Sequence, residues 1–443
     1  ILYQLILNAE DKIIMHTQII LKALTYAIND ENPIVVSNAK KSAELVGYFV
    51  PLESSLPLLV TAVTSSSSIG PLKVLLSVIT GGPSSGVEKE ALEIGNLISQ
   101  EEICQTLNPD KLIVIVEILL AMESKTPKSF GHKEESGRRF FRAGITALAM
   151  SKNPSISKQA MAFLDKMREL NDLNTVDELV SEMCGEILSE IRANSSQWTS
   201  VTPDKLIFEK ILSFGVSVVE RHAELILIIM TENLGPERDP EVRLRFFALL
   251  AENLQHCPKS GCETQLHEFT KHIIENVLTP NLVWVAGKTA GALRTAASSC
   301  IHSILDADIL PSNIIMSIAP DLIPALLSLT DDNATLTRQI ACQSIEKVVN
   351  SSNSRLSPDM INKIYPVLLK RLDDVSNEIR LFTCTCLHAT FNNLPKEYEP
   401  SFYRYHLTGA MSTLMVHLDD DDEEIQDVIF SKLVFPNISV NVR

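Results

Sequence analysis

The chain has 443 residues, of which 45% are apolar and 5% aromatic, which suits a large buried core and excludes a disordered chain. Leu, Ile, Val and Ala dominate and Gly is scarce, so helices are favoured over sheets and barrels. The formal charge of −16, from 55 acidic and 39 basic residues, argues against nucleic acid and anionic membranes as partners. We therefore predict an all-α protein.

The apolar runs are too short or too interrupted to cross a bilayer, and no signal peptide is visible. The eight Cys residues are scattered, and several occupy apolar positions of helical patterns. That usage is typical of reduced core thiols, so we expect a cytoplasmic protein. Because the first residue is Ile1 rather than Met, we expect the sequence to be incomplete at its N-terminus.

Along the chain, polar breaks separate amphipathic helices at intervals of about 38 to 47 residues, the period of HEAT or armadillo hairpins. Asn or Asp can cap a helix and Pro fits its first turn, so each break predicts a helix start. Two longer intervals predict hidden turns, at 194–203 and 284–287. The visible breaks are Asn32-Pro33, Gly70-Pro71, Asn108-Pro109, Asn153-Pro154, Asp239-Pro240, Asp331-Asp332, Asp373-Asp374 and Asp419 to Asp422.

The stretch from Asp359 to Leu394 shows the repeating unit most clearly. Apolar residues recur at helical spacing from Ile361 to Leu372, and a second helical pattern follows the acidic turn. The apolar face of that second helix is predicted to contain Val375, Ile379, Phe382 and Cys386. One such hairpin cannot bury both of its apolar faces, so similar hairpins must stack on either side. We predict a single α-solenoid of about ten HEAT-type hairpins over residues 1–443, with an exposed loop at 123–137.

Asp and Arg recur where second helices begin, and we expect them to form a ladder between successive hairpins that fixes their register. On a surface, each such pair should contribute only about 0 to 1 kcal/mol. The predicted ladder residues are Asp239, Arg243, Asp332, Arg338, Asp374 and Arg380.

Cys257, Cys262, His267 and His272 are ligand types suited to tetrahedral zinc. His267 and His272 are five residues apart, however, and would point about 140° away from each other on a helix. We therefore favour a polar segment between helices and predict no metal and no cofactor. A zinc-dependent enzyme is the alternative, which a metal assay would test.

Two charged clusters have both a structural and a binding interpretation. The acidic run from Asp419 to Glu424 could bind a cation or a basic partner, but a turn and an acidic first helical turn are favoured by the helix dipole. Arg138, Arg139 and Arg142 could bind phosphate or an acidic peptide, but are more typical of an exposed helix face. No residue set has a catalytic spacing, so we predict no catalytic residues and no enzymatic activity.

Three stretches go beyond the generic repeat: NLVWVAGKTAGALRTAASSC at 281–300, KIYPVLLKRLDDVSNEIR at 363–380, and Val416 to Asp420 with Ile425 to Asp427. They resemble the C-terminal HEAT repeats of the dynein axonemal assembly factor 5 family. The resemblance is strongest over residues 281–427, and the preceding 280 residues show only the repeat pattern.

The resemblance implies a cytoplasmic, non-catalytic factor in the preassembly of outer and inner dynein arms for motile cilia or flagella. The partners that it implies are axonemal dynein heavy and intermediate chains, chaperones and other assembly factors. We expect clients to bind the surface lined by second helices. Composition and period alone leave open a general cytosolic HEAT scaffold for a phosphatase, kinase or transport complex, which would not explain the Trp284 and Tyr365 segments.

Overall fold

The structure is a computed structural model, and it describes residues 1–235, 237–255, 264–308 and 310–434. Every regular element within these ranges is a helix, which confirms the all-α prediction. The chain divides into two compact units. The first unit comprises Ile1–Ala193 and Val201–Val218, and the second comprises Asn194–Ser200 and Val219–Arg443.

The first unit is a stack of antiparallel helical hairpins. Its α-helices are α1 (Leu2–Ala9), α2 (Thr17–Ala27), α3 (Pro33–Phe49), α4 (Leu52–Ser65), α5 (Gly70–Gly81), α6 (Ser84–Lys89), α7 (Ala91–Ile98), α8 (Glu101–Cys104), α9 (Pro109–Lys125), α10 (Glu135–Met150), α11 (Pro154–Leu170), α12 (Val176–Met183), α13 (Gly185–Arg192) and α14 (Pro203–Leu212). The second helices of its hairpins, α3, α5, α9 and α11, each pack on the next. That row is the arrangement of an α-solenoid.

The second unit repeats this arrangement. Its α-helices are α15 (Val216–Asn233, with three residues in the first unit), α16 (Pro240–Gln255), α17 (Thr264–Ile273), α18 (Lys288–Asp306), α19 (Ser312–Leu329), α20 (Thr335–Ser351), α21 (Pro358–Arg371), α22 (Asn377–Asn392), α23 (Arg404–Val416) and α24 (Glu423–Val428). The second helices α16, α18, α20 and α22 each pack on the next, while α19 pairs with α20 and α21 with α22. Both units therefore consist of HEAT-type hairpins, as predicted.

The predicted breaks lie where second helices begin. The side-chain oxygens of Asn32, Asn108 and Asn153 each accept a hydrogen bond of 2.9 Å from the backbone N–H two residues later. Proline follows each of these Asn residues at the first helical position, where its missing N–H costs nothing. The hidden turns are also confirmed, because α14 begins at Pro203 and α18 at Lys288.

The segment 123–137 is only in part the exposed loop that we predicted. Residues 127–130 form a 3₁₀ turn, and the buried Phe130 ring stacks on Phe140 with 4.6 Å between ring centroids. Asn171 fastens the segment by accepting from the His132 N–H at 2.6 Å and donating to the Phe130 carbonyl at 3.0 Å. The sequence did not reveal this packing because a single apolar residue in a polar stretch has no periodicity.

One predicted core position in the second helix of the 359–394 hairpin is wrong. Val375 is 94% exposed, because it lies in the turn and α22 begins only at Asn377. Ile379 and Cys386 are fully buried as predicted.

Helix α19 is long and apolar enough to cross a membrane by length and composition. Nine of its 18 residues, including Leu322 and Leu326, are buried, and it packs against α20 and α21. These contacts are those of a core helix within the hairpin stack.

Candidate interaction surface and ion-pair ladder

Three Arg–Asp pairs join successive hairpins of the second unit. In each pair, the Arg comes from one second helix and the Asp from the turn before the next second helix. The pairs are Arg294 with Asp332, Arg338 with Asp374, and Arg380 with Asp420, with nitrogen–oxygen distances of 2.8, 2.8 and 2.6 Å. The structure thus places four of the six predicted ladder residues in Arg–Asp pairs between hairpins.

These pairs lie inside the unit, so the expectation of surface pairs is wrong. The side chains of Arg294 and Asp332 are 5% and 2% exposed, and those of Arg338 and Asp374 are 10% and 3% exposed. A buried pair costs desolvation energy when it forms, whereas removing one partner leaves a buried charge and costs about 3 to 5 kcal/mol. The register of the hairpins therefore depends on both partners being present.

Each ladder carboxylate also shapes its own turn. The Oδ1 atoms of Asp332, Asp374 and Asp420 accept hydrogen bonds of 2.9, 3.0 and 2.9 Å from the backbone N–H two residues later. The Oδ2 atom of each carboxylate faces the Arg of the preceding hairpin, and the Oδ1 atoms of Asp374 and Asp420 also accept from that Arg. A single residue type therefore fixes both the turn and the contact between hairpins.

Asp374 is held in its charged form. Burial raises the pKa of this carboxyl, but hydrogen bonds from the Arg338 guanidinium and the Ser376 N–H, with the charges of Arg338 and Arg371, more than offset burial. The pKa of Asp374 consequently lies below its ordinary value. Charge-assisted bonds to a fully ionised carboxylate are the stronger kind of hydrogen bond.

The first predicted rung differs from the other three. Asp239 caps α16, since its Oδ1 accepts from the Glu241 N–H at 2.9 Å. Arg243 donates to the Oδ1 atom of Asn281 at 2.5 Å, so an amide takes the place of a carboxylate there. The amide nitrogen of Asn281 in turn donates to the carbonyls of Leu234 and Val277.

Sequence reasoning missed Arg294 and Asp420 as ladder residues. Arg294, Arg338 and Arg380 are separated by 44 and 42 residues, close to the repeat period, so an alignment of the second helices on Arg could have found the first. Asp420 was hidden within an acidic run, where composition alone does not distinguish a buried carboxylate from exposed ones.

That acidic run has the structural role that we favoured. Asp420 is the buried ladder residue, and Asp422 caps α24 by accepting from the Glu424 N–H at 3.0 Å. Glu423 and Glu424 lie in the first turn of α24, where the helix dipole favours negative charge.

The cluster of Arg138, Arg139 and Arg142 is compensated within the first unit. Arg138 pairs with Glu186 at 3.3 Å, and Arg142 pairs with Glu101 at 3.5 Å. Glu190 and Glu135 are further partners, of Arg142 and Arg139 respectively. Arg138 and Arg142 thus join α10 to α13 and α8, and Arg139 pairs within α10, so the cluster is compensated by carboxylates rather than open to a phosphate.

The candidate zinc ligands cannot be placed as a set, because Cys257 and Cys262 lie outside the described residues. His267 is half-buried and His272 is exposed, both on α17. Among the residues that the structure describes, no group of three His, Cys, Asp or Glu side chains could hold a metal ion.

The six described Cys residues are buried, and Cys104, Cys300, Cys342, Cys384 and Cys386 are free thiols. Burial raises the pKa of Cys104 and Cys342 to about 11 and that of Cys384 to about 12. These thiols are therefore protonated at neutral pH and are poor nucleophiles.

The turn before α18 presents apolar side chains to solvent. Val283, Trp284 and Val285 are 66%, 59% and 56% exposed. The Arg294 guanidinium carbon lies 5.9 Å from the Trp284 ring centroid, and Arg294 also donates to the Val285 carbonyl at 2.7 Å. The most buried ladder pair thus holds an exposed aromatic turn in place.

Comparison with known proteins identifies similar chains. Residues 1–151 match the HEAT-repeat domain of dynein axonemal assembly factor 5. A curated Xenopus laevis protein with that name is 30% identical over 430 residues, covering 97% of this chain and 51% of its own length. The Mus musculus protein is 30% identical over 447 residues, covering 98% and 52%. This chain thus spans about half the length of these relatives.

These matches confirm the predicted resemblance and extend it to the N-terminal residues, where we predicted only the repeat pattern.

Among solved structures, similar chains include an engineered protein, which has a TM-score of 0.45 at 15% identity. The match covers 95% of this chain and 99% of that one. Kap121p bound to Pho4p has a TM-score of 0.40 at 13% identity, covering 95% of this chain and 46% of that one. Both TM-scores are below 0.5, so they decide nothing about this chain.

Proposed function

Because the resemblance to the dynein axonemal assembly factor 5 family extends over nearly the whole chain, we propose that the protein is a non-catalytic scaffold in dynein arm assembly. In this proposal it acts in the cytoplasm, before outer and inner arms enter motile cilia or flagella. Its clients are axonemal dynein heavy and intermediate chains, and it works with chaperones and other assembly factors.

The observation that supports a scaffold is that buried Arg–Asp pairs join successive hairpins of the second unit. Stacked hairpins form an extended surface suited to large partners. In the second unit, buried Arg–Asp pairs fix the register of those hairpins, and the described Cys residues are buried. Such a surface holds partners in position, and rigid joints preserve the spacing between contacts.

The proposed mechanism is masking. Partly assembled dynein subunits expose apolar interfaces that their final partners later cover, and exposed apolar surface promotes aggregation. We propose that the surface lined by second helices covers these interfaces until the complex is complete. Release then requires only that the final partner bind the client more tightly than the scaffold does.

The test is affinity isolation of the tagged chain from the cytoplasm of cells that are building cilia, followed by mass spectrometry. Recovery of dynein heavy or intermediate chains with chaperones is the expected result. Recovery of a phosphatase, kinase or import cargo without any dynein subunit would instead support the general scaffold.

Charge reversal on second helices sharpens that test. Glu378 on α22 is exposed. The variant Glu378→Lys should abolish recovery of dynein chains without unfolding the protein. Asp321→Lys on the first helix α19, also exposed, is the matched control and should leave recovery intact. Equal recovery from both variants would exclude the second-helix surface.

A further inference from the structure

The exposed turn at residues 283–287, here called the Trp284 turn, has features that a connection between helices does not need. Two aliphatic residues flank a tryptophan, and all three are more than half exposed. The corresponding turns before α20 and α22 begin instead with the acidic pairs Asp331-Asp332 and Asp373-Asp374. Large aromatic side chains with open faces are over-represented among residues that dominate binding energy.

The Trp284 turn is held rigidly at both ends. Before the turn, Asn281 is fixed by Arg243 and by two backbone carbonyls. After it, Gly287 has a φ of 114°, a backbone conformation that suits glycine. Arg294 contacts the Trp284 ring, the Val285 carbonyl and Asp332 together. A preorganised turn loses little conformational entropy when it binds, so its contacts contribute more fully to affinity.

A hollow of about 620 Å³ lies between the Trp284 turn and the next turn of the same unit. The ion pair between Arg294 and Asp332 contributes to its lining, with the small residues Gly291 and Ala292 nearby. Lys288 also lines the hollow, is exposed, and has no ion-pair partner among the described residues. The hollow therefore combines an aromatic face, space for the backbone of a bound peptide to approach α18, and one uncompensated positive charge.

We propose that the Trp284 turn and this hollow bind an extended, acidic segment of a partner protein. An aliphatic or proline side chain of that segment packs on the open face of the Trp284 ring. A carboxylate of the segment pairs with Lys288, and the small residues let its backbone approach. Charge complementarity favours an acidic segment over a basic one, because Asp332 is already neutralised by Arg294 and Lys288 is the free charge.

This inference deepens the proposed function, from which it takes only that the partner is a protein client. The probe is a phage-displayed library of random 12-residue peptides, selected on the full chain. We expect enriched peptides to combine acidic residues with an aliphatic residue or proline. Enrichment of basic peptides, or no enrichment, would overturn the proposal.

Variants then locate the bound peptide, with affinity measured by fluorescence polarisation of a labelled enriched peptide. Trp284→Ala should weaken binding by about thirtyfold or more, the effect of losing an aromatic anchor. Lys288→Glu should weaken it by about tenfold. The matched controls are Val375→Ala, another exposed apolar turn residue, and Lys363→Glu, another exposed lysine. Equal effects of variants and controls would overturn the assignment.

Tryptophan fluorescence gives an independent reading of the same site. Trp198 is buried and Trp284 is exposed, so Trp198→Phe leaves a reporter at the proposed site. Peptide binding should then protect Trp284 from acrylamide quenching, and unchanged quenching would contradict the proposal. Neither measurement uses dynein. A failure here with dynein recovered in the isolation experiment would remove this site while leaving the proposed function intact.

Discussion

The two units join their hairpins by different physical means. In the first unit, α3 and α5 approach so closely that a Cβ atom on Gly47 would lie 2.1 Å from the Val78 carbonyl oxygen. One on Gly81 would lie 1.9 Å from the Glu44 carbonyl oxygen. In the second unit, long side chains bridge the corresponding helices through buried Arg–Asp pairs. The register of α3 and α5 is thus fixed by close backbone packing, whereas that of the second helices in the second unit is fixed by buried charge.

This difference shows that a hairpin repeat specifies its stacking only in part. Apolar faces bring second helices together in both units, but apolar contact is non-directional and does not choose one register. Glycine permits one close backbone contact, and a buried carboxylate accepts only one arrangement of its guanidinium partner. The two solutions should respond differently to substitution and to pH.

The largest effect is expected when one partner of a buried Arg–Asp pair is removed. Asp332→Ala leaves the Arg294 guanidinium buried without its carboxylate and removes the hydrogen bond to the Ala334 N–H. We expect the free energy of unfolding of the second unit to fall by about 3 to 5 kcal/mol. Urea unfolding followed by tryptophan fluorescence measures it, because Trp198 and Trp284 both belong to that unit.

The adjacent residue is a matched control for Asp332. The Asp331 side chain is 70% exposed and pairs with Arg371 at 2.6 Å. Asp331→Ala should therefore cost only about 0 to 1 kcal/mol, the value of a surface pair. If both substitutions lower the free energy of unfolding equally, burial does not account for the contribution of the Arg–Asp pairs to stability.

A smaller effect is expected where α3 and α5 pack closely at Gly47. Gly47→Ala places a methyl group against backbone atoms of α5, which cannot move aside as a flexible side chain can. We expect a loss of about 1 to 3 kcal/mol, measured by circular dichroism during thermal unfolding.

The control for Gly47 is a glycine in another helix. Gly409, within α23, has no atom within 4 Å of an added Cβ. Gly409→Ala should therefore stabilise the protein by up to about 1 kcal/mol, because alanine has the higher helix propensity. The same substitution should have opposite signs at the two positions, and equal signs would contradict close packing at Gly47.

The sequence predicted the hairpins better than the contacts that join one hairpin to the next. Helical periodicity and Asn-Pro caps are local signals, and they located the starts of α3, α9 and α11 correctly. Burial of a charge depends on the neighbouring hairpin, about 40 residues away, and local sequence does not report it. For the same reason we expected Asp332 and Asp374 in surface pairs, and we placed Val375 in the core although it lies in the turn.

The smallest of the predicted effects is a pH dependence of stability, which the buried Arg–Asp pairs should show and the close packing at Gly47 should not. The pKa of Asp374 is lowered on folding, so its contribution to stability is fully present above the ordinary pKa of 3.8. That contribution declines as pH falls below this value and is lost once pH passes the lower pKa of the folded state. Tryptophan fluorescence during urea unfolding at a series of acidic pH values should show this decline, and Asp374→Asn should flatten it. Gly47 carries no titratable group, so Gly47→Ala should lower stability equally at every pH. An unchanged acid profile in Asp374→Asn would mean that other titratable groups, and not Asp374, cause the decline.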